Sequence, residues 1–357
     1  MSDTSRLEPQ TPVIVTRELE GVGGRVGPEP ADFVVDEIPR YPLSGEGEHR
    51  YVRLRKQGLT TPDLIRAVGR AAGVSEHEIG CAGMKDKHAV TSQWLSLPAR
   101  SVPPDHWSLP TGIELLEVSR HERKLRTGQL AGNRFGIHLV NASAGSLQRA
   151  QRICRRLQQR GLPNYFGAQR FGSHGDNLDR ALWWLRQGSP RSKRARFYRK
   201  LYPSVVQSEI FNRTLTLRLE QGLDTLIEGD VVRLDGSHTV FVVQDPGRET
   251  ERLETGDIHL TGPMIGPKMK SPTGEALALE QAATQQLGLT SDDLNALGRM
   301  VDGTRRDLFV SPHPLSLRLL EDASLLLDFT LPAGSYATQL VRELTREEWR
   351  AGDRAPD

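Results

Sequence analysis

Residues 81–91 (CAGMKDKHAVT) contain a carboxylate in a setting that could do chemistry. Asp86 stands between Lys85 and Lys87 and is followed by His88. Positive charges within a few ångströms of a carboxyl group favour its ionised form. An ionised aspartate in a turn at a strand end can act as a nucleophile or an electrostatic stabiliser. The same pattern is also typical of an ordinary polar hairpin, in which Asp86 would only make turn hydrogen bonds.

The sequence lacks the motifs that bind the common cofactors. It has no GxxxxGK[ST] phosphate loop, and the glycines at 21–24 do not extend to GxGxxG because the sixth position is Val26. The ten histidines contain no HxxxH pair, and the two cysteines, Cys81 and Cys154, contain no CxxC. These spacings argue against a zinc site and against a disulfide scaffold.

The sequence predicts a strand on each side of the segment that contains Asp86, and these strands would hold it in place. Residues 79–84 and 90–97 read as strands, with 85–88 in the turn between them. Residues 51–55 alternate apolar and basic side chains, which is typical of a half-exposed strand. A helix follows, with Thr61 as its N-cap and Gly73 at its end.

The remaining elements divide the chain into strand-rich ends and a different middle. Asp235-Gly236 between two apolar runs predicts a two-residue hairpin turn. The other predictions are strands at 33–35, 135–139, 315–319 and 325–331, helices at 146–161, around 183–184, at 204–219, at 275–300 and at 336–344 with Ser335 as N-cap, and a loop over 256–274. We expect the last strand to return to the first sheet, with the middle segment inserted.

Length and composition restrict the class of protein. The 357 residues suggest two domains, with roughly 150 residues per domain as a prior. Hydrophobic residues make up 37% and charged residues 26%, which is a soluble globular profile. No apolar run approaches the ~18 residues of a membrane span, and the first residues lack a secretory signal pattern. We therefore expect a cytoplasmic protein that is not bound to a membrane.

Positive charge is clustered although the net charge is only +2. Residues 191–200 contain six basic residues and no acidic one, and residues 121–134 contain four Lys or Arg against one Glu. Such clusters suit a polyanionic partner, and Phe197 and Tyr198 within the first one favour nucleic acid because bases stack on aromatic rings. The alternative is a solvated helix face that binds nothing.

Several blocks together resemble the TruD family of tRNA pseudouridine synthases. The blocks AGMKDKHAVTSQW, PNYFGAQRFG and LPAGSYATQLVREL lie far apart and follow the family's order. DFVVDEIP, RKLRTGQLAGNRF and EALALEQAA are also similar to it, so the likeness runs from about residue 25 to about residue 344. The combination is specific, and with it a catalytic role for Asp86 outweighs the polar-hairpin interpretation.

The resemblance implies a fold and an activity. It implies an α+β protein: a pseudouridine synthase catalytic domain with a mixed, mostly antiparallel sheet and flanking helices, and an inserted α/β TRUD domain that faces it across a basic cleft. We place the catalytic domain at 1–160 and 311–357 and the insert at 161–310. The implied reaction isomerises uridine to pseudouridine in tRNA, at uridine 13 in the bacterial members, without metal or cofactor.

The resemblance also implies roles for individual residues. Asp86 would be the nucleophile, acting by attack on C1′, by assisting formation of a glycal, or by addition to C6 of the base. Phe33 and Tyr336 match aromatic substrate contacts, and Asn133 matches a polar one. By themselves these three would read as a sheet core residue, a half-buried packing residue and a turn former, respectively. We expect the tRNA backbone to be bound by Lys85, Arg123, Lys124, Arg126 and Arg170, with residues 191–200 as a further candidate.

Two positions depart from the family as we know it. Relatives often carry Phe where Tyr336 stands, and the added hydroxyl could bond the base or Asp86. Relatives also often carry Lys where this chain has Gly27, so we expect Arg25 or Lys85 to supply a positive charge near Asp86. Two other functions stay open at this point: a non-catalytic tRNA-binding or tRNA-folding protein, and a nucleoside-directed enzyme that releases free uracil. The default oligomeric state is a monomer.

Overall fold

The computed structural model describes residues 7–172, 175–188, 195–222 and 224–347. The chain divides into two compact units. The first, which we call the sheet unit, comprises Glu18–Gln158 and the residues from Pro312 onward. The second, which we call the helical unit, comprises Gln159–Ser311 and the residues up to Arg17. Their assignment as catalytic and inserted domains stays a prediction.

Within its described residues the sheet unit contains nine strands and three α-helices. The strands are β1 (Arg25–Val26), β2 (Phe33–Pro39), β3 (His49–Lys56), β4 (Gly80–Cys81), β5 (Val90–Pro98), β6 (Ile113–His121), β7 (Leu130–Val140), β14 (Leu315–Leu319) and β15 (Leu325–Pro332). The helices are α1 (Thr61–Ala72), α2 (Ser146–Arg160) and α8 (Ala337–Thr345), and the last two residues of α2 belong to the helical unit.

In the described part of the sheet unit these strands form one mixed sheet. The order along it is β14-β15-β7-β2-β5-β3-β6, with β1 paired to β7 and β4 paired to β5. β2 and β5 run parallel, and the other pairs are antiparallel. The strand that was expected to return is β15, which pairs with β7 over its whole length. The α+β class with a mixed, mostly antiparallel sheet is confirmed.

Strict alternation of apolar residues fixes one buried face of this sheet. In β7, Phe135, Ile137 and Leu139 are buried, and in β15 the same holds for Leu327 and Phe329. Phe329 stacks on Phe135 with ring centroids 5.3 Å apart. Because a shift of one residue would turn these side chains to the other face, the alternation also sets the register between the two strands.

Helix α1 packs on the same sheet further along. Its apolar stripe, which includes Leu64 and Val68, contacts Leu54 and Leu95 in one hydrophobic cluster. Its N-cap is Thr60 rather than the predicted Thr61, since the Thr60 side chain accepts a hydrogen bond from Asp63 N. Thr61 is thereby the first helical residue, and its hydroxyl is available for other contacts.

The helical unit contains five helices and six strands within its described residues. The helices are α3 (Asn177–Gln187), α4 (Ala195–Glu220), α5 (Pro246–Glu254), α6 (Gly274–Gln286) and α7 (Ser291–Gly298). The strands are β8 (Leu162–Pro163), β9 (Val231–Leu234), β10 (Val240–Val242), β11 (Ile258–Met264), β12 (Thr304–Asp307) and β13 (Phe309–Val310). They form a four-stranded sheet β10-β9-β11-β12 and a separate pair β13-β8.

Three predictions for the helical unit need correction. The loop predicted over 256–274 contains β11, a central strand whose Gly262 is needed because a Cβ there would lie 2.6 Å from the Leu308 side chain. The predicted two-residue hairpin has a longer loop, since Arg233 pairs with Val240. The helix predicted at 275–300 is two helices, separated at the left-handed Gly288 (φ +60°).

The block PNYFGAQRFG lies in the helical unit and is mostly buried. Tyr165, Phe166 and Phe171 are at most 8% exposed, so these three rings pack in the interior of the unit and are not presented for stacking on RNA bases. The Tyr165 hydroxyl lies 2.9 Å from the Thr216 hydroxyl on α4. Among the described residues, no helix is both long and apolar enough to span a bilayer.

The buried face of the sheet unit makes a stability prediction. Phe329→Ala removes a fully buried ring, so we expect the unfolding free energy of this unit to fall by about 3–5 kcal/mol. The matched control is Leu319→Ala on β14, where the side chain is half exposed and the change should stay below about 0.5 kcal/mol. Amide hydrogen exchange of β7 measures the opening of this unit; equal protection in both variants would contradict the prediction.

Candidate active site

The loop at 82–89, between β4 and β5, carries Asp86 and is anchored at several points. The Lys85 backbone N–H donates to the Thr61 hydroxyl at 2.8 Å, and the Gly128 N–H donates to the Ala82 carbonyl at 2.8 Å. The strand predicted over 79–84 is only Gly80–Cys81, and the loop is correspondingly longer. The nucleophile candidate is therefore on a segment held by hydrogen bonds to α1 and to the turn before β7.

Asp86 is half-buried and its carboxylate is tied to its own loop. Its Oδ1 accepts a hydrogen bond from the His88 backbone N–H at 2.8 Å. This is a local turn contact of the kind that aspartate commonly makes. It fixes the side-chain direction while leaving part of the side chain accessible.

Lys85, the residue before the nucleophile candidate, points into the protein. Its side chain is 6% exposed, and its Nζ lies 3.1 Å from Glu37 Oε2 and donates to Asn133 Oδ1 at 2.6 Å. The Glu37 side chain is itself 2% exposed. The expectation that Lys85 binds the tRNA backbone is therefore wrong, because a phosphate cannot reach an ammonium that is buried and paired with a carboxylate.

A second lysine lies under the same loop, and the sequence analysis missed it. Lys56, the last residue of β3, has no exposed surface. Its Nζ donates to the Leu59 carbonyl and to the Asp86 carbonyl, both at 2.7 Å. The sequence did indicate the burial of Lys56. Val52 and Leu54 occupy the buried face of β3, and because side chains alternate with a period of two, Lys56 lies on that face as well.

Burial lowers the pKa of Lys56 to about 8. Burial is the largest contribution to this net shift of the pKa. The carboxylate of Asp86 opposes the shift by favouring the protonated form, the charge of Lys85 adds to it, and the carboxylate of Asp63 opposes it. The protonation of Lys56 and the charge of Asp86 are thus linked.

Asn133 and Phe33 lie on the two strands beside this cluster. Asn133 is in the middle of β7, opposite Glu37 of β2 and Leu331 of β15, so its interpretation as a turn former is wrong. Phe33 is 9% exposed and its ring centroid is 6.2 Å from that of Phe135, so most of the ring packs in the sheet core, and its role as a substrate contact stays a prediction. Phe33 and Glu37 share one face of β2, four residues apart.

Tyr336 is half-buried at the start of α8. It is the N-cap residue of that helix by position, in place of the predicted Ser335, and its side chain makes no capping hydrogen bond. The chain reaches it from the end of β15, where the Ala333 N–H donates to the Ala131 carbonyl at 3.0 Å. This continues the pairing that sets Leu331 opposite Asn133, so Tyr336 follows in the chain directly after the strand that pairs with β7 at Asn133.

Gly27 and the two candidate cations, Arg25 and Lys85, lie in different surroundings. At Gly27 a Cβ would lie 2.1 Å from Asp32 Oδ2, so the carboxylate of Asp32 occupies the space of a side chain. Asp32 is in turn held by His138, with Oδ1 and Nδ1 2.7 Å apart. Arg25 is exposed on β1, and Lys85 is paired with Glu37.

The basic residues expected to bind RNA differ in their availability. Arg123 and Arg126 are exposed in the turn between β6 and β7, whereas the Nζ of Lys124 donates to the His77 carbonyl at 2.7 Å. Arg170, in the helical unit, is half-buried, with its guanidinium 5.7 Å from the centre of the Phe166 ring. Within the basic run, residues 191–194 lie outside the described residues, and the Phe197 side chain is 64% exposed.

No group of three or more His, Cys, Asp or Glu side chains suited to a metal ion occurs among the residues that the structure describes. The contacts reported above instead join Lys56, Asp86, Lys85, Glu37 and Asn133 into one charged cluster. This arrangement can present one carboxylate to a substrate while two buried cations lie beneath it.

Comparisons with known proteins point to one family of enzymes. A family model described as "tRNA pseudouridine synthase D (TruD)" matches residues 13–178 and 195–344. A tRNA pseudouridine synthase D of Anaeromyxobacter sp. (strain Fw109-5) is 42% identical over 339 residues, which cover 93% of this chain and 95% of the relative. One from Thermus thermophilus is 39% identical over 348 residues, covering 96% of this chain and 94% of the relative. A crystal structure described as TruD from Methanosarcina mazei has a TM-score of 0.71 at 24% identity, covering 93% of this chain and 95% of that one, which shows the same fold.

The linkage between Lys56 and Asp86 predicts a measurable titration. With lysine labelled at ¹³Cε, we expect the NMR signal of Lys56 to titrate near pH 8, well below the ~10.4 of a free lysine. In Asp86→Asn the midpoint should fall further, because the carboxylate that favours the protonated form is lost. The matched control is Glu114→Gln, which removes an exposed carboxylate from neighbouring strand β6 and should leave the midpoint unchanged.

The sign of the linked stability effect follows. Between about pH 8 and the ~10.4 of the unfolded lysine, the unfolded chain holds this proton and the folded chain does not. This group alone therefore stabilises the folded state increasingly as the pH rises through that window. A midpoint that is the same in Asp86→Asn as in the wild type would contradict the linkage.

Proposed function

This chain belongs to the TruD family of tRNA pseudouridine synthases, and on that premise we propose that it isomerises uridine to pseudouridine in tRNA, at uridine 13, with Asp86 as nucleophile. The observation that carries the proposal is the family match over almost the whole chain. The structure of the site supports it, because Asp86 is half-buried on an anchored loop beside polar groups that could hold a nucleobase.

The reaction is an isomerisation that one carboxylate can support. The C1′–N1 bond breaks, a C1′–C5 bond forms, N1 takes up a proton and C5 loses one, so no atom or electron is gained or lost. The Asp86 carboxylate can attack C1′, assist formation of a glycal, or add to C6 of the uracil. Because no oxidant, reductant or second substrate is needed, we propose that the enzyme works without metal or cofactor.

The target nucleotide must leave the base stack before Asp86 can reach it. Flipping a base out costs a few kcal/mol of lost stacking and pairing, which contacts in the pocket must offset. We propose that Tyr336 and the edge of Phe33 provide the aromatic wall. Asn133 uses its Oδ1 for Lys85, so its amide NH₂ is the group that would donate to a uracil carbonyl.

The tRNA backbone would be bound by exposed basic side chains. Arg123 and Arg126 are the best-placed candidates, because both are exposed in the turn that also anchors the Asp86 loop through Gly128. Lys124 and Arg170 would contribute less, since each already contacts protein groups. We further propose that the enzyme acts as a monomer in the cytoplasm.

Mapping pseudouridine at single-nucleotide resolution in unmodified tRNA transcripts tests the reaction. We expect conversion at uridine 13 in the presence of EDTA and without nucleotide cofactor. Asp86→Asn should abolish turnover, since the amide is not a nucleophile, while the Kd for tRNA stays within about threefold. The control Asp105→Asn removes an exposed carboxylate of the sheet unit and should retain full activity.

Each alternative function would give a different outcome in this assay. A tRNA-binding or tRNA-folding protein would leave the transcripts unmodified at any enzyme concentration. A base-exchanging enzyme would release free uracil, whereas an isomerase releases none. Parallel losses of binding and turnover in Asp86→Asn would mean that Asp86 is structural.

Salt dependence tests the proposed backbone contacts. For Arg123→Gln and Arg126→Gln we expect the slope of log Kd against log salt to decrease by about 0.7–0.9 for each phosphate that the variant no longer binds. Lys124→Gln is the matched comparison in the same turn, and its smaller effect follows from the bond that its ammonium already makes to His77. Filter binding between 50 and 300 mM salt measures the slopes. An unchanged slope in the Arg123/Arg126 double variant would exclude this turn from the tRNA interface.

A further inference from the structure

Lys56 is the feature of this site that the family match and the sequence did not single out. It has no exposed surface, and lysines are almost never fully buried unless their charge is paired. Its ammonium bonds the carbonyl of Asp86 itself, as well as that of Leu59. We propose that Lys56 is a positioning residue for the nucleophile: it fixes the Asp86 backbone from beneath and supplies the positive charge that compensates its carboxylate. This inference rests on the proposed function.

A neutral donor could satisfy the two carbonyl groups, so the charge of Lys56 needs its own explanation. Burying an ammonium is costly unless an opposite charge lies close by. The charged groups that act on Lys56 are the carboxylates of Asp86 and Asp63, which favour its protonated form, and the ammonium of Lys85, which opposes it. Asp86 is the strongest of the three, so its carboxylate is the main counter-charge.

The other nearby cation is already engaged. Lys85 is paired with Glu37 and bonded to Asn133, both on the sheet side of the loop. Glu37 is therefore the counter-charge of Lys85, whereas the carboxylate that acts most strongly on Lys56 is that of Asp86. A cationic side chain at position 27, where relatives often carry Lys, would displace the carboxylate of Asp32. In this chain that position therefore cannot supply the positive charge.

The geometry defines what Lys56 can and cannot do in the reaction. Because it is sealed beneath the loop, it does not touch the substrate and cannot transfer a proton to the base. It holds Asp86 at the carbonyl, while His88 holds the carboxylate through its N–H. A nucleophile fixed at both points keeps its direction while the sugar moves, so the loss of Lys56 should slow the chemical step without weakening tRNA binding.

Two substitutions separate the hydrogen bond from the charge. Lys56→Met keeps the length and removes both, and we expect its single-turnover rate at saturating enzyme to fall at least 100-fold. Lys56→Gln keeps an uncharged donor, and we expect a loss of about tenfold. In both variants the Kd for tRNA should stay within threefold. The matched control is Arg55→Gln, the preceding residue of β3, which points to the other face and forms an exposed pair with Glu114.

The pH profile supplies a readout that a merely structural role would not move. The single-turnover rate of the wild type should decline above about pH 8, where Lys56 loses its proton and with it the compensating charge. Lys56→Met and Lys56→Gln have no such proton, so their lower rates should lack this decline. The declining limb must also be present in Arg55→Gln.

The outcomes that overturn the inference are distinct from those that overturn the function. A folded Lys56→Met or Lys56→Gln variant with a rate within threefold of the wild type refutes the positioning role, as does an alkaline limb that persists in both. If Lys56→Met does not fold, the rate and pH profile of Lys56→Gln decide. If the wild type forms no pseudouridine, the proposed function fails, and an unaltered Lys56 titration in Asp86→Asn then independently refutes the charge pairing.

Discussion

The burial of two lysine ammonium groups beneath one loop is the constraint on which the site depends. Lys56 and Lys85 lie on the inner side of residues 82–89, and each needs an anionic or carbonyl partner there because water cannot supply one. The partners are Glu37, Asn133 and Asp86, so the loop, strand β2 and strand β7 are tied together by charge. The buried contacts of the two lysines therefore hold the loop on which the half-buried Asp86 is presented.

The sheet supplies the frame for these contacts through its register. β7 is the shared neighbour: it sets Asn133 opposite Glu37 on one side and opposite Leu331 on the other. Phe135, which stacks on Phe329, is two residues after Asn133 on the same face of β7. The alternation that buries the core residues of this strand therefore also sets the direction of the Asn133 side chain. A slip of one residue would expose the core and would also remove Asn133 from Lys85.

Sequence patterns predicted the parts of this protein that local chemistry determines. The alternating strands, α1 with its glycine stop, and a carboxylate in the turn before β5 all follow from residue type and spacing. Strand β11 did not, because Gly262 and Pro263 are typical of loops. The glycine inside this strand is explained by the close approach of the Leu308 and Phe211 side chains, which only the structure shows. The burial of Lys56 was indicated only by the alternation within β3, and residue type argued against it, since lysines are rarely buried. The pairing of Lys85 with Glu37 depends on tertiary neighbours, which residue type and spacing do not reveal.

The pairing of β15 with β7 has a consequence for how the molecule forms during synthesis. The partner of β7 emerges from the ribosome about 190 residues after it, because the helical unit is translated in between. Until then β7 presents an unpaired edge with an apolar face, a state prone to association with other nascent chains. Tyr336 follows β15 in the chain, so a chain truncated before β15 would carry the aspartate without this aromatic part of the proposed nucleobase site.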